Sequence, residues 1–283
     1  MIVDSHCHAW SYWPYEPKVP DPESKGTVEQ LIWEMDHNGV EQACIVAAQI
    51  EHNPDNNDYV AAKLREYPNR LHLFADVDSV WSDTYHKLGA VERLEAAIKR
   101  WPMRGVTHYL ADDDGSWLTS DQGMEWFAAI AENKLIASIA CQPQHQPALR
   151  KVAEKYPTMP ILCHHMSSLH SSLQPDSRPV REVLESAAMP NIHLKFSGFH
   201  YLGERGWDYP NFDTHWIYRL CYEHFGVRMC WGSDFPACLR YVMYKHSLEA
   251  FRTYCSFIPE KAKADILGAT MGKLLEGSRQ VRL

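Results

Sequence analysis

Apolar and polar positions alternate along the chain in two rhythms. Short runs rich in Val, Ile, Leu, Cys and aromatic residues alternate with longer stretches where apolar residues recur every three or four positions. Eight runs predict strands: Ile2–His8, Gln42–Gln49, Arg70–Asp78, Met103–Leu110, Leu135–Gln142, Pro160–Met166, Asn191–Gly198 and Arg228–Asp234. Helices are expected between them, at Thr27–Asn38, Asn57–Glu66, Gly89–Arg100, Asp121–Glu132, Gln146–Lys155, Arg178–Ala187 and Phe212–Phe225, with His246–Tyr254 after the last strand. Thr27 followed three residues on by Gln30 has the spacing of a helix-opening capping box. Regular alternation of this kind predicts a parallel sheet with helical crossovers. An open doubly wound sheet usually carries a glycine-rich phosphate turn after its first strand. Here that place holds histidines and aromatics. The pattern therefore predicts an α/β fold, a (β/α)8 TIM barrel, with residues 1–283 as a single domain.

Polar residues collect where these strands end, and strand C-terminal ends build the active face of such a barrel. The first strand ends in His6-Cys7-His8. Residues two apart on a strand share a face, so both imidazoles are offered to one point, as a divalent metal requires. The eighth strand ends in Asp234. The sixth ends in His164 and His165, and strand alternation turns only one of them inward; register alone leaves open which. His6, His8, His164 and Asp234 form the candidate metal set, with Asp234 and His164 as candidate catalytic groups. Asp234 is the expected general base for a water. Zinc suits three nitrogens and an oxygen, and manganese also accepts them. Arg104 and Lys195 are cations in apolar strands, and a buried charge needs a partner. They are candidate ligands for an anionic small-molecule substrate, together with Gln49, His108, His200 and Trp10. The aromatic, proline-rich stretch 10–26 is expected as a surface loop or a wall over the site.

Composition narrows the picture. The net charge of −8 comes without a basic stripe, so nucleic acid is not an expected partner. No apolar run approaches the roughly 20 residues of a membrane span, and the opening residues do not read as a secretory leader. Eight scattered cysteines without a C-x-x-C pair fit reduced thiols in a cytoplasmic protein. The aromatic loop equally suits a contact in a homo-oligomer.

The opening Val3-Asp4-Ser5-His6-Cys7-His8-Ala9-Trp10 resembles that of the amidohydrolase superfamily, in its amidohydrolase-related branch. Met103-Arg104-Gly105-Val106, Ile161-Leu162-Cys163-His164, Leu194-Lys195-Phe196-Ser197-Gly198 and Cys230-Trp231-Gly232-Ser233-Asp234-Phe235-Pro236 resemble motifs of its lactonase-like TIM-barrel hydrolases. Cys163 stands where that group usually has Asp, and Thr270 where it usually has Asn. The resemblance implies a metal-assisted hydrolase, foremost a lactonase opening a sugar-acid or muconate-type lactone with water activated at Asp234. Its alternative is a metal-dependent non-oxidative decarboxylase of an aromatic or unsaturated acid. It implies one divalent ion, zinc before manganese, although some lactonases of the group work without metal.

Overall fold

All eight apolar runs become strands in the computed structural model, which describes residues 1–280. They are β1 (Val3–Cys7), β2 (Gln42–Ala47), β3 (Leu71–Asp76), β4 (Met103–Tyr109), β5 (Ile136–Ala140), β6 (Ile161–Cys163), β7 (Ile192–Phe196) and β8 (Met229–Trp231). They pair in sequence order in one parallel sheet. The seam between β8 and β1 is drawn together beyond the last strand, where Asp234 N–H donates to the His6 carbonyl at 2.8 Å. The result is the expected TIM barrel, nearly closed.

The crossovers are helical, as the periodicity predicts. They are α1 (Val28–Asn38), α2 (Asn56–Glu66), α3 (Ala90–Arg100), α4 (Asp121–Glu132) and α5 (Gln146–Lys155), then the helices Arg178–Glu185, His215–Phe225 and Tyr244–Arg252. Thr27 caps α1 by accepting the Gln30 N–H at 3.3 Å, and the Gln30 side chain reaches back to the Gly26 N–H at 2.8 Å. No helix among the described residues is long and apolar enough to cross a membrane. All eight cysteines are buried and free.

Two apolar layers hold the barrel. The outer one lies between strands and helices and includes Ile45, Leu73, Val106, Ile139 and Leu194. The inner one fills the barrel itself with Val3, Cys44, Val46, Phe74, Ile136, Leu162 and Cys230. The helix Thr270–Gly277 plugs the bottom of this inner layer with Met271 and Leu275. Truncating such a buried leucine to alanine costs about 2–5 kcal/mol.

Arg104 belongs to this plug. Its guanidinium donates to the carbonyls of Leu275 at 3.2 Å and Arg279 at 3.0 Å. The expectation that Arg104 holds substrate is therefore corrected. It sits near the start of β4, at the end of the barrel away from the strand C-termini. Its charge is satisfied by carbonyls at a helix C-terminus, where cations are favoured.

Candidate active site

A register slip in β1 aims its histidines. Val3 packs inside the barrel, yet His6 also points in, because the β1–β2 pairing shifts between Asp4 and Cys7. His8 follows on the same face, and Cys7 turns outward into the helix layer. Opposite them, Asp234 stands just beyond β8 with left-handed backbone, φ 57°. Asp4 ties the two segments together. Its Oδ1 accepts the Ser233 N–H at 2.9 Å and the His6 N–H at 3.2 Å, and its Oδ2 accepts the Tyr244 hydroxyl at 2.9 Å. Burial, against those bonds, pushes the Asp4 carboxyl up to about 6. Gly232 is required at the same seam, since a Cβ there would lie 2.6 Å from the His6 Cβ.

Asp234 faces a ring of imidazoles. Its Oδ1 lies 3.4 Å from His6 Nε2, 3.5 Å from His8 Nε2 and 4.0 Å from His165 Nε2. Its Oδ2 lies 3.6 Å from His200 Nε2. Burial alone would raise the Asp234 carboxyl, but His165, His6 and His8 outweigh it and hold the group well below the usual carboxylate range. Burial, against the neighbouring Asp234 charge, pushes His165 and His200 down to about 4.

Hydrogen bonds on the far side of the rings decide what the near side can do. His8 Nδ1 lies 2.7 Å from the Val46 carbonyl. A carbonyl only accepts, so Nδ1 carries the proton and Nε2 presents a lone pair toward Asp234. His164 Nε2 lies 2.7 Å from Ser138 Oγ, which leaves its Nδ1 as the other ring nitrogen. Among the described residues, His6 Nε2, His164 Nδ1 and Asp234 Oδ2 are buried without a hydrogen-bond partner. Such orphans are costly in a native interior, and a cation is one kind of partner that such atoms accept. Two donors on one tetrahedral zinc ion, each about 2.05 Å from it, lie about 3.4 Å apart. The spacings of His6 and His8 from Asp234 match that figure. His6, His8 and Asp234 thus group as one potential metal set, and His6, His164 and His165 as a second that shares His6.

Both residues of the His164–His165 pair reach the site, which strand alternation does not anticipate. The strand stops at Cys163, and His165, Met166, Ser167 and Ser168 all adopt left-handed backbone, with φ of 47–59°. That turn swings the second ring back inward. Its Nδ1 meets Ser197 Oγ at 2.8 Å. Gly198 makes room: its φ is 69°, and a Cβ there would come within 2.6 Å of His165 Nδ1.

Above the imidazoles lies a cavity of about 240 Å³ into which Asp234, His8 and His165 protrude. Trp10 and Tyr15 bring the aromatic loop 10–26 into its wall. Trp10 is buried, stacks on His8 at 4.9 Å and anchors its Nε1–H on the Ala48 carbonyl at 2.7 Å. Tyr201, whose sequence setting suits a wall residue, is part of the rim, and Trp81, Tyr109 and Arg240, which no sequence signal marks, stand beside it.

Several expected substrate ligands lie elsewhere. His108 points outward from β4, because its neighbour Tyr109 takes the inward position. Its Nδ1 bonds to the Val77 carbonyl at 3.1 Å and its Nε2 meets His86 at 3.1 Å. Gln49 lines a separate cavity of about 380 Å³ with Asp76 and Trp101. Lys195 lies beneath the cavity, fully buried, with Nζ 2.7 Å from Ser138 Oγ and 3.1 Å from His6 Nδ1. Burial pushes its ammonium down to about 8. It braces the imidazoles and has no access to a substrate carboxylate. His200 is buried behind Asp234, so it contacts the carboxylate and not the cavity.

The sequence profile of a family described as amidohydrolase matches residues 3–275. An L-fucono-1,5-lactonase from Burkholderia ambifaria is 28% identical over 137 residues, 47% of this chain. The match spans 45% of that relative, so this chain covers about half the length of the curated protein it resembles. Among solved structures, a Burkholderia multivorans amidohydrolase with bound zinc superposes with TM-score 0.79 at 16% identity, over 98% of this chain and 99% of the other. A probable 2-pyrone-4,6-dicarboxylic acid hydrolase from Acinetobacter baumannii, with citric acid bound, gives 0.76 at 18% identity over 97% and 99%. A 2,6-dihydroxybenzoate decarboxylase from Rhizobium gives 0.68 at 14% identity over 97% and 98%. At these identities the three structures attest to the fold.

Proposed function

The chain belongs to the amidohydrolase family, and from that premise we propose that it is a hydrolase, a metal-assisted lactonase. One observation carries the reading: the Val46 carbonyl fixes His8 with its lone pair toward Asp234. His6, His8, His164 and Asp234 would hold one divalent ion, zinc before manganese. When bound, that ion supplies Lewis-acid polarisation of a carbonyl oxygen.

The chain's own groups account for the proton traffic. Asp234, held below the usual carboxylate range, accepts a proton from the attacking water. It returns that proton to the alkoxide that leaves when the ring C–O bond breaks. His165 Nδ1 lies 2.8 Å from Ser197 Oγ, and accepting that hydroxyl would leave Nε2–H as a donor for the carbonyl oxygen. Trp10 and Tyr15 wall the reacting face.

The test is turnover of a panel of sugar-acid and muconate-type lactones beside a panel of aromatic acids. Ring opening of a lactone, without carbon dioxide release from the acids, is expected. Carbon dioxide release without lactone opening would replace this reading with metal-dependent decarboxylation.

A further inference from the structure

The two cations that the sequence offers for a substrate charge are occupied, Arg104 on the plug helix and Lys195 beneath the imidazoles. A third cation, Arg240, lines the cavity instead. Its guanidinium lies 5.2 Å from the Tyr15 ring centre and 5.3 Å from that of Tyr241. It is exposed, and among the described residues it has no carboxylate within 4.0 Å. Ring contacts hold an arginine in place without neutralising it. The rim of the cavity thus carries a positioned, unpaired, planar cation, suited to bidentate binding of a carboxylate.

The rest of the lining says what the carboxylate is attached to. Trp10, Tyr15, Trp81 and Tyr109 present aromatic rings, and Ile50 and Ala237 are apolar. Apart from Asp234, the described lining holds no carboxylate, and it holds no Asn or Gln. A lactone of a sugar monoacid is neutral, because ring closure consumes its one carboxyl, and its several hydroxyls would have to share the few tyrosine hydroxyls and imidazoles of this lining. An unsaturated lactone with a carboxylate arm needs only flat apolar walls and one cation.

We infer that the substrate is a lactone bearing a separate carboxylate and that Arg240 selects it. This rests on the lactonase reading of the same site. The test uses two matched pairs. One is a butenolide with a carboxymethyl arm, beside its carboxamide. The other is a non-hydrolysable oxocyclopentane carboxylate, beside its carboxamide. Wild type is expected to favour the carboxylate of each pair, in kcat/KM for the first and in calorimetric binding for the second. In Arg240→Met both preferences fall by about ten- to a hundredfold, the scale of a charged hydrogen bond, with Arg240→Lys between. Equal binding of the two analogues by wild type, or a preference that survives in Arg240→Met, overturns the inference. Carboxylate-selective binding that depends on Arg240, with no lactone opened, supports Arg240 as the anion selector and overturns the lactonase reading alone.

Discussion

Ser138 Oγ lies 2.7 Å from His164 Nε2 at the floor of the site, and both side chains are buried. The same hydroxyl receives the Lys195 ammonium at 2.7 Å, so one serine orients a candidate ligand and caps a buried cation. Groups that hold a ligand histidine from behind typically matter about 10- to 100-fold for metal affinity or activity.

Ser138→Ala is therefore expected to lose about 10- to 100-fold in metal affinity. Unfolding stability should also fall by about 1–3 kcal/mol, because the alanine leaves buried polar groups unpaired. Competition with a chromophoric chelator, beside urea unfolding, reads both. Unchanged metal affinity would mean that His164 is not a ligand.

Asp234→Asn removes the proposed proton acceptor while keeping the side chain's size. Activity on the preferred lactone is expected to fall by about 10²- to 10⁴-fold, the range for a general base. Circular dichroism should show the barrel intact. Activity within a few-fold of wild type would exclude Asp234 as the base.

His108 yields a pH prediction remote from the site. Burial, against its bond to the Val77 carbonyl, pushes it down to about 4, while an unfolded histidine titrates near 6.5. Between those values the unfolded chain binds more protons than the folded one, so this group's contribution falls as pH drops. Each pH unit is worth about 1.4 kcal/mol, for a total approaching about 3 kcal/mol. The buried carboxyls of Asp4 and Asp76, both pushed up to about 6, act in the opposite direction. The informative quantity is thus the stability difference between wild type and His108→Asn, from urea unfolding at pH 7, 5.5 and 4.5. Wild type should lose ground to the variant on acidification. A constant difference would show that His108 is not held neutral.

The barrel was legible because its two hydrophobic periods are clean and each strand ends in polar residues. His6, His8 and Asp234 converge at the C-terminal mouth, where the strand pattern puts them. The sixth strand misled, since alternation cannot anticipate the left-handed turn that begins at His165. A burial argument can say that Arg104 and Lys195 need partners but not which ones. Their partners are helix-end carbonyls for Arg104, and a serine hydroxyl with an imidazole for Lys195. His108 was misread for want of register, because the inward residue of that strand is Tyr109. Arg240 follows Asp234 by six residues in a short helical turn, and no periodicity marks it as part of the cavity rim. Ser138 had one readable sign, a small polar residue inside an otherwise apolar strand.

The most direct test of the account is metal content by elemental analysis, joined to lactone hydrolysis before and after chelation. About one equivalent of zinc or manganese is expected, with hydrolysis lost on chelation and restored by that metal. Full hydrolysis by metal-free protein would contradict the account, leaving the histidines and Asp234 to act without a metal ion.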